Sequence, residues 1–372
     1  MHKTILQPGE HLSDAEAHYL PAEPQNVFWG RLPCAADAPV LRLSAGETAV
    51  VDTLSHEGLL EDQGSDPLRY FTGHGVEPEQ VLQDAVDLVA ARKQAGARFG
   101  HLRNPEQDGP HVVTGPIHVD GAEPGDLLKI TVVGLERRVP YGVISNRHSR
   151  GALPGEFPRG PQNVSVFAAV DETGERPQGT MAPAAGADRT VRFELAPFLG
   201  TMGVAASADQ RPHSVPPGLH GGNIDIKMLT ETAALYLPVQ VPGALAYVGD
   251  PHFAQGDGEV ALTAMEASLR ARLRFDVVPR EEALQLFGEQ IGPLAETSEF
   301  LIPTGLDEDL DIAVQKCVRN ALTLLQARWG LDAEHAYAYL SAATDFNISQ
   351  VVDVVKGVHG RVRRGDFSGL SQ

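Results

Sequence analysis

Cysteine, positive charge and long apolar runs are all scarce in this chain, and each scarcity removes a class of function. Only two cysteines occur among 372 residues. Cys34 sits in a loop-like stretch and Cys317 on the apolar face of an expected helix, so no disulfide framework is expected. Neither has a base close by in sequence, which argues against a thiol nucleophile of the nitrilase kind. Lys and Arg number 30 against 49 Asp and Glu, a net charge of −19. Nucleic acid and anionic membrane are therefore not expected partners, because phosphate binding needs clustered Lys and Arg. No apolar run approaches the roughly 20 residues needed to span a bilayer. The opening MHKTILQPGEHLSD lacks the charged-then-apolar pattern of a leader, so a cytoplasmic location is the expectation. There is no G-x-S-x-G elbow, no Gly/Ser-rich stretch beside a lysine, and no glycine pattern for cradling phosphate.

What the chain has instead is punctuation. Its 38 glycines and 27 prolines are spread among hydrophobic segments, which points to many short strands and away from disorder. Segments 27–29, 40–43 and 47–52 read as strands. Residues 77–96 carry Val81, Leu82, Ala85, Val86, Leu88 and Val89 at helical spacing, with Gly96 as the C-cap. Segments 112–119 and 127–133 read as a strand pair around the turn GAEPGD. Residues 140–190 read as a long insertion loop with one short strand at 164–170, and 192–195 and 268–276 alternate as strands. Two amphipathic helices follow, 309–327 and 332–343, with Asp307 or Asp309 and then Asp332 as caps. A final strand is expected at 349–355. The fold class is α+β and β-rich, with antiparallel sandwich- or barrel-like lobes and a few segregated helices. The chain is read as one unit, 1–372, with sub-lobes 1–195 and 196–372.

The chemistry concentrates between His220 and Glu259. Two polar clusters, HGGNIDIK and DPHFAQGDGE, flank an apolar β-branched segment, 235–248, that reads as one or two strands with a hairpin-like connection. Strand alternation places Asn223, Asp225 and Lys227 on one face, and Asp257 with Glu259 on one face. His252 with Asp250, Asp257 and Glu259 is the leading metal group, and Asp225 with His220 completes it. Imidazole plus carboxylate suits zinc, with calcium the alternative. The competing reading is a polar turn in which Asp and Gly supply only geometry. Lys227 and Asn223 are candidates for oxyanion stabilisation. In the first half, Asp52, His56 and Glu57 are candidates for the opposite wall, and Glu61 and Asp62 read as solvated charges. Glu123 and Asp126 read as turn residues, His148 and His213 as loop histidines, and Asn146 and Arg147 as possible contacts for a polar substrate group. Tyr236, Phe253 and Met202 are the expected lining of a small cavity.

Several of these segments resemble the acetamidase/formamidase family. They are HGGNIDIK, LYLPVQVPGALAYVGDPHFAQGDGEV, GPIHVDGAEPGDLLKI, PFLGTMGVA at 197–205 and ISQVVD at 348–353, in the same order over about residues 47 to 353. The resemblance implies hydrolysis of short aliphatic amides to carboxylate and ammonia by a soluble homo-oligomer, a dimer or higher, with a bound divalent metal. Glu259 or Asp52 would then carry the proton to the leaving nitrogen. Hydrolysis of a related C–N bond, in a carbamate or functionalised amide, is one alternative. A non-catalytic, metal-stabilised β-scaffold that binds a small ligand is the other. Segments 52–66 and 141–164 depart from the family pattern and are expected to set substrate preference.

Overall fold

The computed structural model describes residues 5–12, 18–94, 103–290 and 292–370. Two large sheets carry the chain. The first has nine strands, in the order Tyr19–Leu20, Thr48–Asp52, Leu269–Val278, Leu127–Arg137, Ala234–Pro238, Leu294–Glu296, Phe300–Asp307, Lys356–Arg363 and Asp345–Gln350. The second runs Val191–Glu194, Gln178–Met181, Val164–Asp171, Tyr141–Asn146, Met265–Glu266, Ala246–Ala254, Phe198–Gly203 and Gly221–Asn223. Val112–Asp120 also pairs with Ala246–Ala254, and carries Val27–Trp29 and Leu41–Ser44 with it. Pairing is antiparallel except where Tyr19–Leu20 meets Thr48–Asp52 and Leu41–Ser44 meets Val112–Asp120. Both sheets combine strands from before and after residue 195.

Alternating strand residues of the two sheets bury into one core. Val51, Ile130, Val132, Leu235 and Leu273 come from the first sheet, and Ile117, Leu199, Met202, Val248 and Phe253 from the second. A second core lies where the helices Arg280–Phe287, Leu310–Trp329 and Ala333–Ala343 cover one end of the first sheet, through Leu324, Leu325, Leu340, Leu301 and Val362. The fold is α+β and β-rich, as expected. Helix caps follow the sequence: Asp309 accepts from the amides of Asp311 and Ile312, and Asp332 from that of His335.

Five expectations are corrected. Segments 112–119 and 127–133 do not pair. Val112–Asp120 belongs to the second sheet and Leu127–Arg137 to the first, so GAEPGD is a crossing between sheets and not a hairpin turn. The apolar segment 235–248 is likewise no hairpin, because Ala234–Pro238 and Ala246–Ala254 lie in different sheets. Residues 140–190 carry not one strand but three, Tyr141–Asn146, Val164–Asp171 and Gln178–Met181, paired as an antiparallel meander, with the longest loop at 147–163. The final strand stops at Gln350, and residues 351–355 form a bend before Lys356–Arg363 begins. The helix expected at 77–96 is a short 3₁₀ turn, Pro78–Gln80, followed by Gln83–Gln94, and Gly96 lies outside the described residues.

Candidate metal and active site

The central strand of the second sheet, Ala246–Ala254, brings Asp250 and His252 to a buried point between its neighbours. Glu266 sits opposite His252 in register, so the two side chains share a face. The Nε2 of His252 lies 3.1 Å from an Asp250 oxygen and 3.0 Å from a Glu266 oxygen. His56, from the loop after Thr48–Asp52, places Nδ1 3.4 Å from the other Asp250 oxygen. His111, just before Val112–Asp120, comes within 4.0 Å of Asp250. Asp225 and Glu259 meet His252 from another side, and their ligating atoms lie within 4.8 Å of one another. Asp353, on the bend after Asp345–Gln350, lines the same space.

The cluster is shaped for a cation, on three independent observations. First, its close contacts lack hydrogen-bond alignment. His56 Nδ1 and Nε2, His252 Nε2, both Asp225 oxygens, Asp250 Oδ1, Glu266 Oε2 and Asp353 Oδ2 are buried without a hydrogen-bond partner. Buried polar atoms are normally satisfied, so converging lone pairs of this kind call for a shared ion. Second, two imidazoles are already tied back by their other nitrogen. Gln255 donates to the carbonyls of Asp225 and Ser349 at 2.9 and 3.2 Å, so its Oε1 is left to accept from His252 Nδ1 at 3.0 Å. His111 Nδ1 similarly lies 3.1 Å from the carbonyl of Ser214. Both rings thus offer Nε2 as the lone pair, the arrangement of ligating histidines. Third, Asp225, Asp250 and Glu259 all take the left-handed backbone conformation, with φ of 48°, 49° and 46°. Holding non-glycine residues there costs about 1–3 kcal/mol each and is typical of functional sites. The wall behind them is glycine: a Cβ on Gly200 would stand 2.5 Å from Asp225 Oδ1 and 2.6 Å from His252 Cε1.

Electrostatics agree. Burial and the neighbouring acids push Asp225 and Glu259 well above the usual carboxylate range. Burial and Asp250 raise Glu266 to about 7, and burial, together with Asp250 and Glu266, raises Asp353 to about 7. Burial opposes the charge on Asp250, but His111 and His252 hold its carboxyl well below the usual range. Burial also opposes a proton on His252 and His56, yet the carboxylates beside them raise both, His56 to about 10. His111, dominated by burial, falls to about 4. Acids outnumber cations, so protons stand where a metal ion would relieve the repulsion.

The cluster forms the floor of a cavity of about 300 Å³. Of the residues expected at the site, His56, Arg147, Asn223, Asp250 and Glu259 line the cavity, and Asp225 and His252 complete the cluster. Thr201 donates to Asn223 Oδ1 at 2.9 Å, which leaves the Asn223 Nδ2 donors uncommitted by that bond.

The other expected residues lie elsewhere. Asp52 is buried in the first sheet, where Arg270 takes both of its oxygens. Glu57 is saturated by Ser145, Arg147 and Gln63 and stands behind His56. Asp257 pairs with Lys227 at 3.2 Å and accepts from Asn347, so neither it nor Lys227 reaches the cluster. The chain leaves the strand after Asn223, so simple alternation does not hold for Lys227. His220 is half-buried beside Gly218 and Gly222 and belongs to none of the ligating groups found among the described residues. Tyr236 packs on Phe287 and donates to Glu296, while Phe253 and Met202 are fully buried core. None of these three lines the cavity, because nearness in sequence to a polar motif does not overcome the burial of a strand's inner face.

Three members escaped the sequence reading. Glu266 is the lone acid of the apolar run ALTAMEASL, and that isolation was its only signal. Asp353 was hidden by reading 349–355 as a strand. His111 stands between Pro110 and an apolar strand, with no second histidine beside it to mark it.

Comparisons with known proteins now bear on this site. The acetamidase/formamidase family profile matches residues 76–213 and 207–360. A formamidase from Methylophilus methylotrophus is 28% identical over 302 residues, covering 66% of this chain and 74% of that protein. An acetamidase from Mycolicibacterium smegmatis is 27% identical over 300 residues, covering 63% and 73%. Among solved structures, an acetamidase from Bacillus halodurans superposes with a TM-score of 0.70 at 24% identity, over 95% of this chain and 100% of that one. A protein from Thermoanaerobacter tengcongensis described as a predicted acetamidase/formamidase gives 0.71 at 22% identity, over 95% and 97%.

Proposed function

This chain belongs to the acetamidase/formamidase family, and we propose that it hydrolyses short aliphatic amides to carboxylate and ammonia at the cavity floor, with a divalent cation. The observation that carries this reading is the set of buried, converging and unpartnered ring nitrogens and carboxylate oxygens at the end of an open cavity. His56, His111 and Asp250 would hold such a cation, as would Asp225, His252 and Glu259 or Asp250, His252 and Glu266. The mixture of imidazole and carboxylate favours zinc over calcium. Once bound, the cation supplies Lewis acidity at the floor.

The chain's own groups do the remaining work. Glu259 faces the cavity, and burial with Asp353 and Glu266 holds its carboxyl well above the usual carboxylate range, which gives it the proton affinity of a proton carrier. It takes a proton from the attacking water and passes it to the amide nitrogen, which must leave as ammonia because an amide anion is a very poor leaving group. Asn223, oriented by Thr201, aims its Nδ2 at the oxygen that becomes negative in the tetrahedral state. A non-catalytic scaffold would close its coordination shell, whereas here the cavity reaches the ligands themselves. No helix among the described residues is long and apolar enough to cross a membrane. Cytoplasmic location and assembly as a homo-oligomer remain part of the proposal, the latter readable by light scattering.

The test is ammonia release from formamide, acetamide and propionamide before and after stringent chelation. Release that disappears with the metal and returns with zinc is the expected result. No release by metal-replete protein overturns the hydrolase reading. Full activity in protein stripped of all detectable metal overturns the metal part.

A further inference from the structure

The cavity is larger than a short amide needs, and its chemistry changes from floor to rim. Water takes about 30 Å³ in the liquid, so a cavity of about 300 Å³ holds roughly ten waters. Acetamide, with four non-hydrogen atoms, fills roughly two fifths of that on the same scale. The floor is acidic, but the rim carries the guanidiniums of Arg103, Arg147 and Arg150. The rim carboxylates are already engaged. Glu61 pairs with Arg92 and Arg103, Asp62 with Arg147 and Asn163, and Asp108 with Arg31 at 2.6 Å.

Arg150 is the exception, since its side chain makes no hydrogen bond or ion pair among the described residues and still lines the cavity. It is not on a loose loop. Its backbone amide bonds to the carbonyl of Arg147, Ala152 N bonds to the carbonyl of Val260 at 2.9 Å, and Asn146 Nδ2 to that of Ala261 at 2.7 Å. These bonds pin the Arg150 turn to the segment that follows Glu259. A cation uncommitted among the described residues thus lines the same cavity as the proton carrier, on a turn pinned beside it, in a chain whose net charge is −19.

We infer that the preferred substrate is a short amide carrying an anionic group at its far end, which Arg150 receives at the rim while the amide lies on the floor. This rests on the amide-hydrolase reading above. For succinamate, the water oxygen bonds to the amide carbon, the C–N bond breaks, and both water protons end on nitrogen, giving succinate and ammonium.

The experiment compares kcat/KM for succinamate with that for 4-methylpentanamide, in which an isopropyl group replaces the carboxylate at matched shape. A charge-assisted contact predicts a preference of about tenfold or more for succinamate. That preference should collapse in Arg150→Gln and return in part in Arg150→Lys. Succinate should also inhibit acetamide hydrolysis competitively, about tenfold more weakly in Arg150→Gln. Equal or better turnover of the neutral amide, or a preference that survives in Arg150→Gln, overturns the inference while leaving amide hydrolysis standing. Failure to release ammonia from acetamide as well removes the hydrolase reading, and this inference with it.

Discussion

Asp52 and Asp250 are acids from opposite sheets, 0% and 3% exposed, in surroundings of opposite character. Around Asp52 each acid meets a guanidinium or a phenol: Arg270 at 2.6 and 2.9 Å, Tyr19 at 2.7 Å, and next to them Arg138 on Asp84 at 2.8 Å. Around Asp250 the acids Asp225, Glu259, Glu266 and Asp353 share their space with three imidazoles, and many of their atoms have no partner. In the first region guanidinium charge from the chain itself balances the acids, although Asp84 Oδ1 and Arg138 Nη2 are buried without a hydrogen-bond partner. The second becomes neutral only with protons or a cation from outside. Burial of charge therefore does not mark a site, but an unbalanced set of buried charges does.

The largest effect that could break this contrast is on activity. His252→Ala and Asp250→Asn should each lower kcat/KM on the order of a hundredfold or more and release metal, as read by ammonia assay and elemental analysis. Asp52→Asn should keep its metal in whatever fraction folds. Its cost falls on stability instead, about 3–5 kcal/mol in urea unfolding, because Arg270 is left buried and unpaired.

The pH dependence of metal-free protein sharpens the contrast further. Burial and Asp250 raise Glu266 to about 7, burial and its acidic neighbours raise Asp353 to about 7, and Asp250 and Glu57 raise His56 against burial to about 10. The folded state holds these protons more tightly than the unfolded chain. Their stabilisation is whole below the unfolded pKa and is lost as pH climbs to the folded one. His111, lowered to about 4, has the opposite sign, but only below its ordinary value of 6.5. From pH 6.5 to 10 the Tm of chelated protein should therefore fall, and zinc should flatten the curve. A flat curve without metal would contradict the unbalanced-charge reading.

Two smaller effects complete the series. Gly200→Ala should cost about 1–3 kcal/mol through overpacking and weaken zinc binding measured by titration. Lys227→Ala, which breaks a half-exposed pair with Asp257, should cost no more than about 1 kcal/mol and leave ammonia release unchanged.

Much of the floor was legible in sequence where polar residues crowd together with glycine, as at His56, Asp225, His252 and Glu259. Glu266 and Asp353 were not, since each is a single acid in an apolar run, and such a run reads as strand. Only pairing across the sheet shows that Glu266 faces His252, and only the bend at 351–355 turns Asp353 inward. Strands and helix caps could be placed from local pattern because turns and capping are local physics. Sheet membership could not, because GAEPGD has the composition of a hairpin turn while its flanking strands find partners far away in sequence.

The most direct test sets Asp353→Asn beside Asp52→Asn, both stripped of metal at pH 8, and compares their Tm with the parent. Neutralising Asp353 removes a repelling charge from the unbalanced region, so its Tm should rise above the parent, while Asp52→Asn should fall below it. A drop in both would mean that Asp353, like Asp52, is a satisfied structural acid, and that the floor is no cation site.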